Sequence, residues 1–235
     1  MNFFSHSVIA ARRSEDPRWI LGSMLPDFVS MAGLRLESVH GDAPLERGVA
    51  FHHTCDDAFH GAPLFIALME EAREQLEADG LDSGPAMAIG HVGVELLLDG
   101  HLVARDGVSP SYRHALGEAD GVAVLLRFHG HEAEPGWARW RQLCARLEAA
   151  PVPERYTEPA FVADRLIKIL SARPRLAVPF GREHMVFEWA RRAAPHVAAH
   201  ADALFEEVEA RLSAAGHICQ GPRGVADPRP RQGSL

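Results

Sequence analysis

The segment GHVGVELLLDGHL, residues 90–102, carries His91, Glu95 and Asp99 at four-residue spacing inside an otherwise apolar run. Residues four apart on an α-helix sit about 40° apart in azimuth and ~6 Å apart along the axis, so the three groups form one stripe. Val92, Val94, Leu96, Leu97 and Leu98 leave that helix apolar nearly all round, which predicts burial. A buried ionised carboxylate is unfavourable by several kcal/mol unless it is paired or holds a cation. The stripe therefore demands a neighbouring face of complementary groups.

The segment GVAFHHTCDDAFHGAP, residues 48–63, offers such a face. His52, Asp56 and His60 form one stripe. His53 and Asp57 form a neighbouring one, which reads as a surface ion pair. Imidazole and carboxylate together suit a borderline or hard divalent ion such as Mn²⁺, Fe²⁺ or Zn²⁺, with Mg²⁺ a further candidate. Two facing stripes supply about four to six ligands, as in metal sites inside helix bundles. Two earlier residues are further candidates: His6 after Phe3-Phe4, and Asp27 in LGSMLPDF. His101, His114, His129 and His131 lack comparable carboxylate spacing and read as structural or surface histidines.

The punctuation predicts a string of helices. Asp16-Pro17 starts one that Pro26 should kink or end near Asp27. Asp42-Ala43-Pro44 starts the next, and Gly61-Ala62-Pro63 separates it from another that fades at Gly80. Ser83-Gly84-Pro85 opens the apolar helix to Leu102. Ser109-Pro110 opens one to about His129. Further helices are expected over 136–149, from Thr157 to Leu170, and over about 182–214 with a bend at Pro195. Hydrophobic residues make up 47% and aromatics 7%, with Ala and Leu dominant, so helix is favoured over sheet. The expected architecture is one all-α domain of about eight helices over residues 1–216. The tail 217–235 ends in GPRGVADPRPRQGSL, which has too little apolar surface to pack and reads as disordered.

A net charge of −8 argues against a nucleic-acid partner. The charge is uneven: twelve acids against two bases over residues 42–99, and four acids against seven bases over residues 157–192. This suggests an acidic cation site beside a basic docking surface. Cys55, Cys144 and Cys219 show no C-x-x-C spacing, so neither a disulfide framework nor a thiolate zinc site is expected. MNFFSHSVIA lacks the basic start of a signal peptide, and no apolar stretch reaches the roughly 18 residues of a membrane span, so the reading is cytoplasmic.

Five motifs in order resemble the acyl carrier protein phosphodiesterases. Met1-Asn2-Phe3-Phe4-Ser5-His6 is similar to the family's Met-Asn-Phe-Leu-Ala-His opening. Leu21-Gly22-Ser23-Met24-Leu25-Pro26-Asp27-Phe28 is similar to its Leu-Gly-Asn-Leu-Leu-Ala-Asp-Phe. Gly48-Val49-Ala50-Phe51-His52-His53-Thr54-Cys55-Asp56-Asp57-Ala58-Phe59-His60 is similar to its Gly-Ile-x-x-His-Arg-x-Ile-Asp-x-x-Thr-Asp. Glu95 to Leu102 looks like its Asp-x-x-x-Asp-His-Phe-Leu helix, and Ala172-Arg173-Pro174-Arg175-Leu176 like its Arg-Arg-Pro-Arg-Leu. The resemblance implies an all-α fold related to HD-type phosphohydrolases and a divalent-metal phosphodiesterase, Mn²⁺-dependent. It implies removal of 4′-phosphopantetheine from holo-acyl carrier protein. The matching positions are His6, Asp27, His52, Asp56, Glu95 and Asp99.

The chain departs from that pattern. The family's arginine is His53, its Thr-Asp is Phe59-His60, its Asp-His is Asp99-Gly100, and His91 is additional. Losing the arginine removes a bidentate phosphate contact that histidine does not copy. The expected chemistry is metal-activated attack of water on phosphorus. His53 or His60 would protonate the leaving group, and Arg173 or Arg175 would counter the phosphate charge. Arg165, Lys168, Arg191 and Arg192 would help dock an acidic carrier protein. Two other readings stand beside it: a metal phosphohydrolase of small phosphoesters or nucleotides, and a non-catalytic helical metal-binding protein.

Overall fold

Side-chain caps start several helices where the sequence marks them. In the computed structural model, which describes residues 1–130, 133–150 and 152–217, Asp16 accepts from the N–H groups of Arg18 and Trp19. Asp42 accepts from Leu45 N and Ser109 from Tyr112 N, each with proline at the start of the helix. The helices are α1 (Phe3–Ala11), α2 (Pro17–Met31), α3 (Ala43–His60), α4 (Pro63–Ala78) and α5 (Ser83–Asp106). They continue with α6 (Pro110–Gly117), α7 (Ala133–Ala149), α8 (Val152–Arg155), α9 (Pro159–Ser171) and α10 (Glu183–Ala214). Helix accounts for 74% and strand for 3%, so the chain is an all-α, single-domain bundle.

The described residues form ten helices rather than about eight. The helix expected from Ser109 to about His129 stops at Gly117. A 3₁₀ turn at Ala123–Leu125 and strand β2 (Leu126–Phe128) follow. β2 alternates buried, half-buried, buried, the period of a strand. It pairs antiparallel with β1 (Leu36–Val39), Leu36 opposite Phe128 and Val39 opposite Leu126, with Glu37 as an extra residue. Pro26 also behaves differently from expectation, since α2 runs through it to Met31. Phe28 and Val29 beyond it are fully buried, and that packing offsets the hydrogen bond the proline removes.

α1 lies at the centre, against α2, α3, α5 and α6. α2 and α3 make the most extensive helix pair because two glycines meet at their crossing. A Cβ at Gly48 would overlap the Trp19 carbonyl oxygen, and one at Gly22 would overlap that of Leu45. α5 packs on α4, α8, α9 and α10. By length and composition α5 suffices to cross a membrane, contrary to the expectation from sequence, but 72% of its most apolar window is buried within the fold. Apart from His217, the tail expected to be disordered lies outside the described residues, as does His131.

Candidate metal centre

α1 is buried on nearly every side, so its polar residues must find partners inside the bundle. Ser7 Oγ donates back to Phe4 O. Ser5 donates its N–H (2.9 Å) and its Oγ–H (2.5 Å) to Asp99 Oδ1, and Asn2 Nδ2 donates to Asp99 Oδ2 at 2.5 Å. Asp99 was expected among the metal ligands. Both its oxygens instead hold the first turn of α1 onto α5.

His6, the remaining polar residue of α1, meets the α3 stripe. Its Nε2 lies 3.0 Å from Asp56 Oδ1, and its ring stacks on His52 with centroids 4.0 Å apart. His52 Nε2 lies 3.4 Å from Asp56 Oδ2. His6, His52 and Asp56 thus offer three ligand atoms within 4.8 Å of one another. The crossing at Gly22 and Gly48 orients this group. One turn beyond Gly48, His52 Nδ1 reaches the Ser23 carbonyl at 2.8 Å. Nδ1–H donation to Ser23 leaves the Nε2 lone pair facing Asp56. A metal-bound histidine commonly uses its other ring nitrogen in this way.

His60, at the end of α3, joins α5 in a second group. His60 Nε2 and His91 Nε2 lie 3.0 and 3.2 Å from Glu95 Oε1, and the two rings stack at 4.9 Å. These three ligand atoms also lie within 4.8 Å of one another. Between the two groups sits the amino nitrogen of Met1. It donates to Asp56 Oδ1 (2.9 Å) and Glu95 Oε1 (3.1 Å), with His60 Nε2 at 3.2 Å. One buried cation therefore already bridges the two carboxylates.

The electrostatics are those of a cation site. Burial opposes ionisation of Asp56, but the His6 hydrogen bond and the Met1 ammonium hold its carboxyl below the usual range. Burial likewise opposes ionisation of Glu95, and the ammonium, His60 and His91 hold it well below. Asp27 lies in the opposite state: burial pushes its carboxyl well up, and Glu95, Asp56 and Asp99 add to the push. Its Oδ2 is buried with no hydrogen-bond partner among the described residues, and so is His6 Nδ1. An orphaned carboxyl oxygen beside two histidine–carboxylate triads fits a divalent ion with mixed nitrogen and oxygen donors. Cys55 is no competitor, because burial pushes its thiol up to about 12.

Burial, reinforced by His6, presses the His52 imidazole down to about 3, and burial lowers His6 as well. An unfolded chain takes up these protons near pH ~6.5, and the folded one does not. The unfolded state then binds more protons at these two sites, so their contribution to stability should fall as pH drops from ~6.5 toward 3, opposed by Asp27 and Asp99, whose raised carboxyls take up protons in the folded state over part of that range. His52 alone should contribute on the order of 1 kcal/mol per pH unit. Urea midpoints at pH 7, 6 and 5 measure this slope, and His52→Gln should flatten it. An equal slope in both proteins would mean that His52 does not set it.

The other expected residues are placed apart. His53 is exposed, edge-on to His52 at 5.3 Å, and Asp57 is exposed. His60, expected as a proton donor, lies within the second triad. Arg173 and Arg175 are exposed in the α9–α10 connection, where the Arg175 carbonyl packs over Gly84. Seven residues, or ~10 Å of helix, separate Gly84 from His91. The family's histidine after Asp99 has no room here, because a side chain at Gly100 would overlap the Tyr156 carbonyl. Sequence reasoning missed Met1, Asn2 and Ser5. The one local signal was the four-residue spacing of Asn2 and His6. No protein-family model, curated protein or solved structure matches the chain.

Proposed function

We propose that the protein is a divalent-metal-dependent phosphodiesterase acting on holo-acyl carrier protein, the activity implied by the motif resemblance. His6, His52 and Asp56 would hold one ion, Mn²⁺ by preference, and His60, His91 and Glu95 a second. The observation that carries the reading is that two histidine–histidine–carboxylate triads lie around the Met1 amino nitrogen, which bonds the carboxylate of each. A divalent ion there would lower the pKa of water and polarise the phosphoryl oxygen. The chain's own groups divide the remaining tasks. The Ser23 carbonyl holds the His52 ring in place, Asp99 holds α1 and thus His6, and Asp27 supplies a buried carboxyl oxygen that still lacks a partner. With His60 inside a triad, protonation of the leaving serine oxygen falls to His53, exposed beside His52.

Incubation of holo-acyl carrier protein with this protein and Mn²⁺, followed by intact mass, tests the reading. Loss of the phosphopantetheine mass is expected with wild type. No loss with metal bound would remove that substrate. The absence of an arginine at position 53 would then favour a small phosphoester. Metal binding itself should be visible as stabilisation. At a hundredfold excess over Kd, Mn²⁺ should add about 2.7 kcal/mol, or roughly 5–10 °C in melting temperature for a chain of this size. No shift with any divalent ion would point to a non-catalytic helical protein.

A further inference from the structure

Of the bases on α9 and α10 expected to form a docking surface, one is placed differently from the rest. Lys168, Arg191 and Arg192 are exposed, whereas Arg165 is half-buried, its Nε buried and without a hydrogen-bond partner among the described residues. Arg13 also has an orphaned Nε, but it pairs with Glu209. No carboxylate pairs with Arg165 among the described residues, and its guanidinium donates to the Tyr156 hydroxyl instead. A guanidinium drawn partly out of water without a counter-charge is unfavourable. Its Nε–H and the adjacent Nη–H form a planar edge that matches two oxygens of one oxyanion, and the chain does not match that edge itself.

Arg165 lies level with the second triad. A Cβ at Gly93 would sit 3.3 Å from Leu166 Cδ1, and one at Gly100 would overlap the Tyr156 carbonyl. The segment from Tyr156 to Leu166 therefore runs antiparallel to α5. That sets Arg165 beside the stretch that carries Glu95, two residues or ~3 Å along the axis from Gly93. Hydrogen bonds join it to the site as well. The Tyr156 hydroxyl that accepts from Arg165 is also bonded to Asn2, and Asn2 donates to Asp99, one turn from Glu95. Asn2 directly follows Met1, whose amino nitrogen bonds Asp56 and Glu95. Asp99 does not pair with the guanidinium, since its oxygens accept from Ser5 and Asn2. His60, His91 and Arg165 are all half-buried, so the second triad and this guanidinium both reach solvent.

We propose that Arg165 binds the phosphoester anion of the substrate, supplying from α9 the guanidinium that position 53 lacks. The inference rests on the phosphodiesterase reading and adds the residue that recognises the phosphate. His53 has no fork of donors, and Arg173 and Arg175 are exposed in the α9–α10 connection, away from both triads. Arg165 alone combines an unmatched donor edge with a bonded path to the start of α1. The Tyr156 hydroxyl holds one end of the guanidinium and leaves the Nε edge for the phosphate oxygens, much as the Ser23 carbonyl holds the His52 ring.

Calorimetric titration of the full chain in Mn²⁺ buffer with diphenyl phosphate, a singly charged diester, reads the contact directly. Arg165→Ala should weaken binding roughly tenfold to a hundredfold. Arg165→Lys keeps the charge without the fork and should recover part of the loss. Arg165 lies outside both triads, so the Mn²⁺-dependent melting shift should stay as in wild type in both variants. With bis(p-nitrophenyl) phosphate as substrate, kcat/KM of Arg165→Ala should fall by a similar factor and rise again when free guanidinium ion is added, a response that a structural role would not give. No diester binding by wild type, or undiminished binding in both variants, would overturn the assignment. So would loss of the melting shift together with diester binding in both variants. Binding that depends on Arg165, with no ester hydrolysed by wild type, would overturn the phosphodiesterase reading and leave the anion contact standing.

Discussion

His52→Ala and Asp56→Ala should each lower phosphodiester turnover on the order of a thousandfold or more if the proposed function holds. Each removes a proposed ligand of the first triad, and the attacking water would then lack the ion that would bring its pKa from ~15.7 toward ~7. The two substitutions differ in their side effects. His52 is 4% exposed and bonded to Ser23, so its removal leaves a void and an unsatisfied carbonyl. That should also destabilise the fold by about 1–3 kcal/mol. Asp56 is partly solvent-exposed, but its loss strips a hydrogen bond from His6 and a counter-charge from the Met1 ammonium. Asp57→Ala, an exposed neighbour on the same helix, should change neither metal content nor turnover. Metal per chain and initial rates, measured on all three proteins, separate the cases. A variant lacking Asp56 that keeps full metal content and full rate would sink the assignment of this triad.

Gly48→Ala should be among the most destabilising single substitutions in the chain, although it adds one methyl group. The added Cβ would overlap a backbone oxygen of Trp19, which has no rotamer to move, so α2 and α3 must separate. Overpacking of this kind is unfavourable by about 2–4 kcal/mol, or roughly 5–15 °C in melting temperature. The separation should reach the site as well. His52 lies one turn along α3, and its bond to the Ser23 carbonyl depends on the same crossing. Loosening such an outer contact should weaken metal binding by ~10–100-fold. Gly33→Ala is an instructive contrast. No atom crowds that position, but its φ of 68° favours glycine, so its penalty is local strain without an effect on metal. Thermal melts with and without Mn²⁺ distinguish the two. A Gly48→Ala protein with wild-type stability would show that the helices can part without penalty.

Eight of the ten helices were legible because their signals are local, whereas α1, which has no side-chain cap, and the short α8 went unread. Caps at Asp16, Asp42 and Ser109 act within one turn, and the i, i+4 stripes on α3 and α5 are properties of a single helix. The same spacing marked His52, Asp56, His91 and Glu95 as candidates before any neighbour was known. Strand β2 was missed because three residues carry too little period to outweigh a helical start, and its partner β1 lies about ninety residues earlier.

The division of labour among the ionisable groups depended on tertiary structure. Asp99 continues the stripe of His91 and Glu95, and spacing alone could not set it apart. It is distinguished by Ser5 and Asn2, brought from the other end of the domain by the burial of α1. His60 could equally have been a free acid until the packing of α3 against α5 set it beside Glu95. By itself the sequence determined that buried carboxylates on two helices needed polar partners or a neutral form, because an ionised carboxylate left unpaired in the interior is too unfavourable. Which groups became those partners was decided by the α2–α3 crossing and the central position of α1, since both depend on backbone approaches between distant segments.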